Sequence, residues 1–556
     1  MSQDLEDKNK RFESLKTEHN VRLPAYKDLQ TYINQTRGIF KNDRSKIGTK
    51  IDHKTLIHSY ATQAQRIFAS GLNSGMTNKA SEWFRPTLKQ REYLELPGVR
   101  QWLDDIKSIV YSILNDSNIY GCVYNAYEEM AQFGPACFIV LEDYDDVVRG
   151  RSFTAGEYYL ATDFKGRVNT FAREFQMTVA QVVSEFGIES CSDQVIVRYK
   201  NKDFDAKVKI RHIIEPNKEH NPDKQDNMSM PYASCYWEDG NHNGNFLARR
   251  GFKYFPVIAP RWETTTTDDV YGYGPGWHAL GSIKELQKTR LDKIMSQEKS
   301  HNPPTQQDAS VEGHANLLPG GVTKSSSVAP NAGVRAAYQI SVQLESFIQL
   351  MDEEKEEIDR FFFVNLFLML MQLGSQGEKM TATEVAERQQ EKIMMMGPAL
   401  HKLDEEMLTP LLEIIFTVAN DNGLVPPPPP GIEGLEIEIE YTSILAQAQK
   451  AAGITNIERV LALVPSIAAI NPSILDIYDV DEMGRQINDM AGAPAKIVLS
   501  PEKIKQVRAF RQQKEQAIMA MQAANSGADT AAKLASAKTD EPSALTGLMK
   551  GLPGAQ

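Results

Sequence analysis

Four cysteines in 556 residues, none in a CxxC pair, are too few and too scattered to make a disulfide framework. Cys122, Cys137, Cys191 and Cys235 point instead to a reducing compartment, and a chain this long buries enough surface to hold together without cross-links. Long apolar runs are also scarce. The most apolar stretch, Phe361 to Leu373, is broken by Asn365 and falls short of the roughly 20 residues of a bilayer span. The opening MSQDLEDKNKRFESLKTEHN is a run of charges without the apolar segment of a secretory leader. Positive charge is in deficit, since 61 Lys and Arg against 73 Asp and Glu leave a net −12. Tight binding to phosphates is thereby disfavoured, but an acidic surface past which DNA slides is not.

The signatures of catalysis are missing too. No GxxxxGK[ST] is present, which excludes the usual P-loop ATPase, and no GxSxG elbow or local cysteine signature marks a nucleophile. The ten histidines fall in no HExxH or Cys/His ligand pattern, and His53 and His58 are five apart, the wrong interval for one helical face. No catalytic, cofactor-binding or metal-binding residue is therefore assigned, and no cofactor is expected. The cluster Gly272-Tyr273-Gly274-Pro275-Gly276 precedes a predicted helix and could cradle a phosphate. Its spacing is wrong for a dinucleotide fingerprint, and a tight turn leading into the helix is the preferred reading.

What is present divides the chain into three or four domain-sized units. Up to about Asn118 the residues read mainly as helices: apolar positions recur at helical spacing over Lys54 to Leu72 and Val99 to Asn115. PACFIVLEDYDDVV (Pro135 to Val148), QVIVRYK (Gln194 to Lys200) and VKIRHIIEP (Val208 to Pro216) then read as short strands, with one helix near Thr178 to Phe186. Antiparallel pairing is expected rather than a doubly wound sheet. After Gly276, Leu280, Ile283, Leu291, Ile294 and Met295 share one helical face, and that helix stops before Asn302-Pro303-Pro304. A Gly-, Ser- and Pro-rich segment follows to Ala332, and a second helix starts near Tyr338 with Leu344, Ile348, Met351, Ile358 and Phe362. Helix, small insert, helix is an odd shape for one compact core.

LGSQGEKMTATEV reads as a loop and then a helix start, with Thr381 and Glu384 at capping-box spacing. That helix is expected to end at Gly397, and Pro398 to begin another, whose apolar stripe Leu400, Leu403, Met407, Leu411, Ile414 and Val418 bends at Pro410. Five prolines, Pro426 to Pro430, form a stiff spacer, and LEIEIEY (Leu435 to Tyr441) alternates as a strand. The remainder to about Ala524 is helical, its last helix starting at Ser500-Pro501, and the Ala-, Ser- and Gly-rich end from Asn525 reads as disordered. No internal repeat is visible.

Two charge features stand apart. Lys207, Lys209 and Arg211 alternate along one strand face, either to meet an acidic partner or, the preferred reading, as a solvated sheet edge. The run DEEKEEIDR (Asp352 to Arg360) holds six acids and two bases, a net −4. On a monomer it is a solvated helix face. Repeated about a ring axis it becomes a stack of negative rings.

Five stretches together resemble the portal, or head-to-tail connector, proteins of short-tailed bacteriophages. They are GLNSGMTNKASEWFRPTL (Gly71 to Leu88), FPVIAPRWETTTTDDVYGYGPGWHALGSIKELQ (Phe255 to Gln287), the helix through IDRFFFVNLFLML (Ile358 to Leu370), MTATEVAERQQEKIMMMGPALHKLDEEMLTPLLEIIF (Met380 to Phe416) and YTSILAQAQKAAGITNIERVL (Tyr441 to Leu461). The family usually has Pro where Ile444 stands, and often where Lys79 stands, departures that touch no functional residue.

The resemblance implies an α+β multidomain portal fold, mainly helical, with an antiparallel β-rich wing, a helical stem, a small clip and a helical crown. Placed on this chain, that gives a wing at 1–276, stem helices at 277–300 and 336–360 around a clip at 301–335, and a wing return at 361–440. A crown at 441–524 and a disordered tail at 525–556 complete it. Gly374, Ser375, Gln376, Gly377, Glu378 and Lys379 would form a tunnel loop, near 373–381, and Glu353, Glu356 and Glu357 an acidic channel lining.

The implied assembly is a closed ring, commonly of twelve copies, at one capsid vertex of the virion, built in the host cytoplasm. Double-stranded DNA would pass through it without sequence specificity during packaging and ejection. The implied partners are the major capsid and scaffolding proteins, the large terminase subunit (the packaging ATPase), tail adaptor or nozzle proteins, and internal core or ejection proteins. A metal-dependent nucleic-acid enzyme with dispersed carboxylates, and a helical scaffold or adaptor without a channel, remain the alternatives.

Overall fold

A computed structural model describes residues 3–40, 53–224, 226–240, 245–329, 333–338, 344–373, 395–443, the single positions Leu445 and Gly484, and 504–518. The chain forms two units, Met1–Ala452 and Gly453–Gln556. In the second unit the described stretch 504–518 is a helix with exposed Val507, Phe510 and Ile518. Most of the expected crown, the Ser500-Pro501 helix start and the 525–556 tail lie outside the described residues.

The first unit mixes helices with antiparallel sheet, as expected. Helix α1 (Gln3–Asn20) is highly charged, yet Leu5, Phe12 and Leu15 line one side and are buried. They press on the five-stranded sheet β4 (Tyr158–Thr162), β5 (Val168–Thr178), β6 (Lys207–Pro216), β7 (Tyr232–Glu238) and β8 (Ala248–Phe252), which is antiparallel throughout in that order. Strand β6 is therefore central. The expectation of a solvated edge carrying Lys207, Lys209 and Arg211 fails: Lys207 and Lys209 are exposed, but Arg211 is buried beneath α1. It pairs with Glu13 at 2.8 Å and Asp239 at 2.9 Å, donates to Asn9 at 3.2 Å, and lies 4.8 Å from the Phe12 ring centroid. Helix α1 and Asp239 after β7 thus pair the terminal nitrogens of a cation that would otherwise be costly to bury, while its Nε is left without a hydrogen-bond partner.

QVIVRYK is a helix, not a strand: α7 (Asp193–Lys200) starts where the Ser192 side chain accepts from the Val195 N–H. Glu238 holds that cap by accepting from both Ser192 N–H and hydroxyl, at 2.8 and 2.5 Å. A cap buttressed from another strand overrides a short β-branched run. The helix expected near Thr178 is α6 (Val179–Phe186), with a complete capping box from Thr178 and Gln181.

A three-stranded sheet, β3 (Val147–Phe153), β2 (Cys137–Asp143) and β9 (Val257–Ile258), adjoins a helical core. That core gathers α2 (Leu23–Tyr32), α3 (Tyr60–Met76), α4 (Val99–Asp116) and α5 (Ile119–Phe133). Helix α5 has no counterpart among the expected elements. It is covered on nearly every side, so its sequence shows no polar face to reveal the helical period. Strand β1 (Phe84–Leu88) pairs with β12 (Ile437–Tyr441), the predicted LEIEIEY strand, tying the start of the unit to its end; Arg85 and Glu440 pair across it at 2.7 Å.

The glycine cluster is a tight turn. A Cβ on Gly274 would sit 2.2 Å from the Met130 carbonyl oxygen, and one on Gly276 would sit 2.8 Å from that of Gln132. Backbone packs on backbone there, and Pro275 opens helix α8 (Pro275–His301) at its first turn.

Helix α9 (Leu344–Phe361) returns beside α8, and α10 (Val364–Leu373) continues into the core against α3. Val334–Ala336 is strand and Tyr338 is not helical, and the described part of the second long helix starts at Leu344, residues 339–343 lying outside the described residues. The next described helix, α11 (395–403), contains Gly397 and Pro398 rather than breaking there. Gly397 does not take the left-handed conformation that ends helices. A π turn at Asp404–Leu408 joins α11 to α12 (Thr409–Asp421). Pro410 has no N–H for the preceding turn, and the Thr409 N–H bonds five residues back, to the Asp404 carbonyl, which is the expected irregularity in its observed form. The predicted stripe from Leu400 to Val418 is buried throughout. Among the described residues no helix is long and apolar enough to cross a membrane.

Candidate functional site

Helices α8 and α9 run antiparallel, as two cross-links show. Ser282 donates to Glu357 at 2.7 Å, and further along α8 Thr289 donates to Glu354 at 2.9 Å, further back along α9. At the body end the pair is sealed by Ile283, Leu286, Met351 and Ile358, all buried. Gln287 secures this end to the chain before α3: its side-chain oxygen accepts from the N–H groups of Ile57 and His58, both at 2.8 Å, and its amide donates to the His58 carbonyl at 2.7 Å.

The distal end is different. Leu291, Ile294 and Met295 on α8 and Leu344, Ile348 and Leu350 on α9 remain 40 to 47% exposed. The first three belong to the apolar face read from the sequence, so that face is half covered within one chain and half open. Beyond it the insert has the short pair β10 (Thr305–Gln307) and β11 (Val334–Ala336) at its base and an isolated bridge between Val311 and Ser325. Leu317, Leu318, Val322 and Val328 stand out into solvent there, and Val311 is its one buried apolar side chain among the described residues.

The acidic run lies on α9. Glu353, Glu356 and Glu357 are all exposed, and their spacing of three and four puts them on one face. Glu356 is only loosely matched by Arg360, at 3.9 Å. Two further acids went unassigned from sequence. Glu354 is 7% exposed with one carboxylate oxygen unpartnered, and burial, then the nearby Glu285, Glu353 and Glu357, push its carboxyl up against the bond from Thr289. Asp359 accepts from the Tyr60 hydroxyl at 2.7 Å and is also pushed up, mainly by burial. Glu354 was findable, because it falls between Met351 and Ile358 on the buried stripe. Asp359 gave no local signal, since its partner is some three hundred residues away in the chain. The tunnel-loop residues Gly374, Ser375, Gln376, Gly377, Glu378 and Lys379 lie outside the described residues.

A second junction fixes the return segment. Arg261, just after β9, forms a two-pronged ion pair with Glu406 in the π turn, with contacts at 2.6 and 3.1 Å, and donates to the carbonyls of Asp269 and Gly166. Its neighbour Asp404 has an unpartnered buried oxygen, and burial pushes its carboxyl up to about 7. Among the described residues no three His, Cys, Asp or Glu side chains gather as metal ligands. The arrangement supports contact and passage: an exposed carboxylate face, an apolar flank and a projecting insert.

Comparison with known proteins agrees in kind. Residues 5–498 match the family described as bacteriophage head to tail connecting protein. The chain is 35% identical to a probable portal protein of Bordetella phage BPP-1 over 98% of both chains, and 32% identical to the portal protein of Salmonella phage epsilon15 over 97% of both.

Proposed function

The chain belongs to the bacteriophage head-to-tail connecting, or portal, protein family, and from that premise we propose that it acts as one subunit of a closed ring through which double-stranded DNA is packaged and released. The observation that carries the reading is the half-covered flank of α8 and α9. A row of six large apolar side chains, left open along a projecting helix pair, is buried when identical neighbours stand side by side about an axis. In such a ring α8 and α9 are the stem, the insert between them is the clip, and the sheets and helices before α8 are the wing. The exposed face of Glu353, Glu356 and Glu357 turned toward the axis repels the duplex and keeps it from sticking.

The role is structural, at the capsid vertex. The exposed insert suits successive docking of a packaging motor and a tail adaptor, and the crown suits contact with internal core or ejection proteins. Capsid and scaffolding proteins would meet the outer wing, and the segment Gly374 to Lys379 would narrow the channel as a tunnel loop. Negative-stain imaging and sedimentation of the purified chain test the central claim. Closed rings with a central hole are expected, and a lone 62.4 kDa species at every concentration would refute it.

A further inference from the structure

The hairpin joining β2 to β3 carries Glu142, Asp143, Asp145 and Asp146 against a single Arg149, a net −3. Between the acids Tyr144 stands wholly in solvent, at 107% relative exposure. The tip is held by a costly backbone: Val147, a β-branched residue, adopts φ +66°, and the Asp145 N–H bonds to the Asp143 side chain at 2.9 Å. Strain of this kind persists only where the surroundings impose it, and it concentrates at ligand clamps and other functional positions.

At the other end of β3 lies a cavity of about 290 Å³, at the seam between the two sheets. Its walls include Arg151 and Phe153 from β3, Arg173 and Phe175 from β5, and Lys207 at the start of β6, together with two carboxylates, Glu157 and Glu174, the latter matched from α1 by Lys16 at 3.4 Å. The Arg173 guanidinium sits 4.2 Å from the Phe175 ring centroid and 5.1 Å from that of Phe153, while Arg151 approaches Phe153 at 5.7 Å. Arg173 donates to the His212 ring at 3.3 Å, a neutral partner. Among the described residues, none of these three cations is in an ion pair.

We infer that the hairpin tip of one copy, led by Tyr144 and its flanking aspartates, docks in the Arg151–Arg173–Lys207 cavity of the next copy around the ring. Aromatic walls suit a tyrosine ring, and the cations suit the acids on either side of it. The cavity is small, at the lower edge of ligand-pocket sizes, which favours one side chain over a cofactor. The topology supplies the direction. Tip and cavity sit at opposite ends of β3, roughly 20 Å apart at about 3.4 Å per residue, so a copy cannot plug itself. Two different surfaces on one subunit make the head-to-tail contact that a ring requires.

This contact rests on the ring reading, and the test separates the two. All four native cysteines are buried, so engineered surface thiols react alone. Full-length chain carrying Tyr144→Cys and Lys207→Cys together should, on oxidation, give a covalent ladder of several copies on a non-reducing gel, while either cysteine alone gives none. Separately, Arg173→Glu should raise the concentration needed for ring formation about tenfold, and adding Asp145→Arg should restore most of it. Both variants are first checked for the parent's melting temperature, and if Arg173→Glu alone lowers it, Lys207→Glu replaces it. Rings of normal appearance without a ladder, and indifferent to charge reversal, would overturn the contact and leave the ring standing. A parent chain that never assembles would overturn both.

Discussion

The body of the chain and the distal half of the α8–α9 pair are built to opposite rules. In the body several awkward groups find partners within one chain: Arg211 is closed in by α1, Arg261 by Glu406 and two carbonyls, and Gln287 by the loop before α3. In the distal half of the pair, six large apolar side chains are left nearly half exposed. On the ring reading, one region is finished by folding and the other by assembly. Substitutions should therefore sort by region, with body changes felt by the lone subunit and distal changes felt only by the ring.

The largest effect on the subunit is expected from Arg261→Ala. Removing the cation leaves Glu406 with the backbone N–H of position 261 and the weaker Lys402 contact, and frees the Asp269 and Gly166 carbonyls, a loss of about 3 kcal/mol or more in denaturant unfolding of the isolated chain. An unchanged midpoint would mean the body is not closed in the way described. Replacing Leu291, Ile294 and Met295 together by serine should do the reverse. These positions are nearly half exposed already, so the subunit's melting should scarcely move, whereas each lost contact removes about 1 kcal/mol from every junction of the ring. Sedimentation that still shows full rings would place these side chains in solvent after all.

A smaller effect follows from pH. Asp404 is held up to about 7, against its ordinary 3.8, by burial, so the folded chain keeps a proton that the unfolded chain has released. Its stabilising share is complete below pH 4 and lost as pH rises through 7. Asp404→Asn should flatten that slope and raise the melting temperature at pH 8 by ~2–4 °C, with little change at pH 4. A slope unaltered by the substitution would assign it to another group.

The least disturbance to either fold or ring is expected from Glu353, Glu356 and Glu357 changed together to Lys. Exposed residues on one helix face contribute little to stability, so rings should form, but DNA should then cling to them with a new salt-dependent affinity. DNA retention and packaging equal to the parent would put these acids on an outer face.

Much of this organisation is written in local pattern. The helix over Val99–Asp116, the capped helix after Thr178, the stop before Asn302 and the strand Ile437–Tyr441 appear where the periodicity and caps place them. Family stretches spread over most of the chain carried the functional class, because the sequence shows no local catalytic motif to read. Three features were not legible. Helix α5 is buried on almost every side and so shows no contrast between faces. Helix α7 has strand-like composition and depends on Glu238 to hold its cap. Arg211 reads as part of a solvated edge until β7 and α1 close over it.

By itself the sequence determined where one-sided burial would produce helices and strands, that the α9 acids share a face, and that no local motif brings catalytic groups together. Those properties depend on neighbours within a turn or two along the chain. Tertiary structure decided which charges are buried, that β6 is central, that Glu354 is left with an open oxygen, and that an acidic tyrosine tip and a basic cavity occupy opposite ends of β3. Each of these is a meeting of segments far apart in sequence, and the energy that settles it, desolvation against a distant partner, has no expression in local pattern.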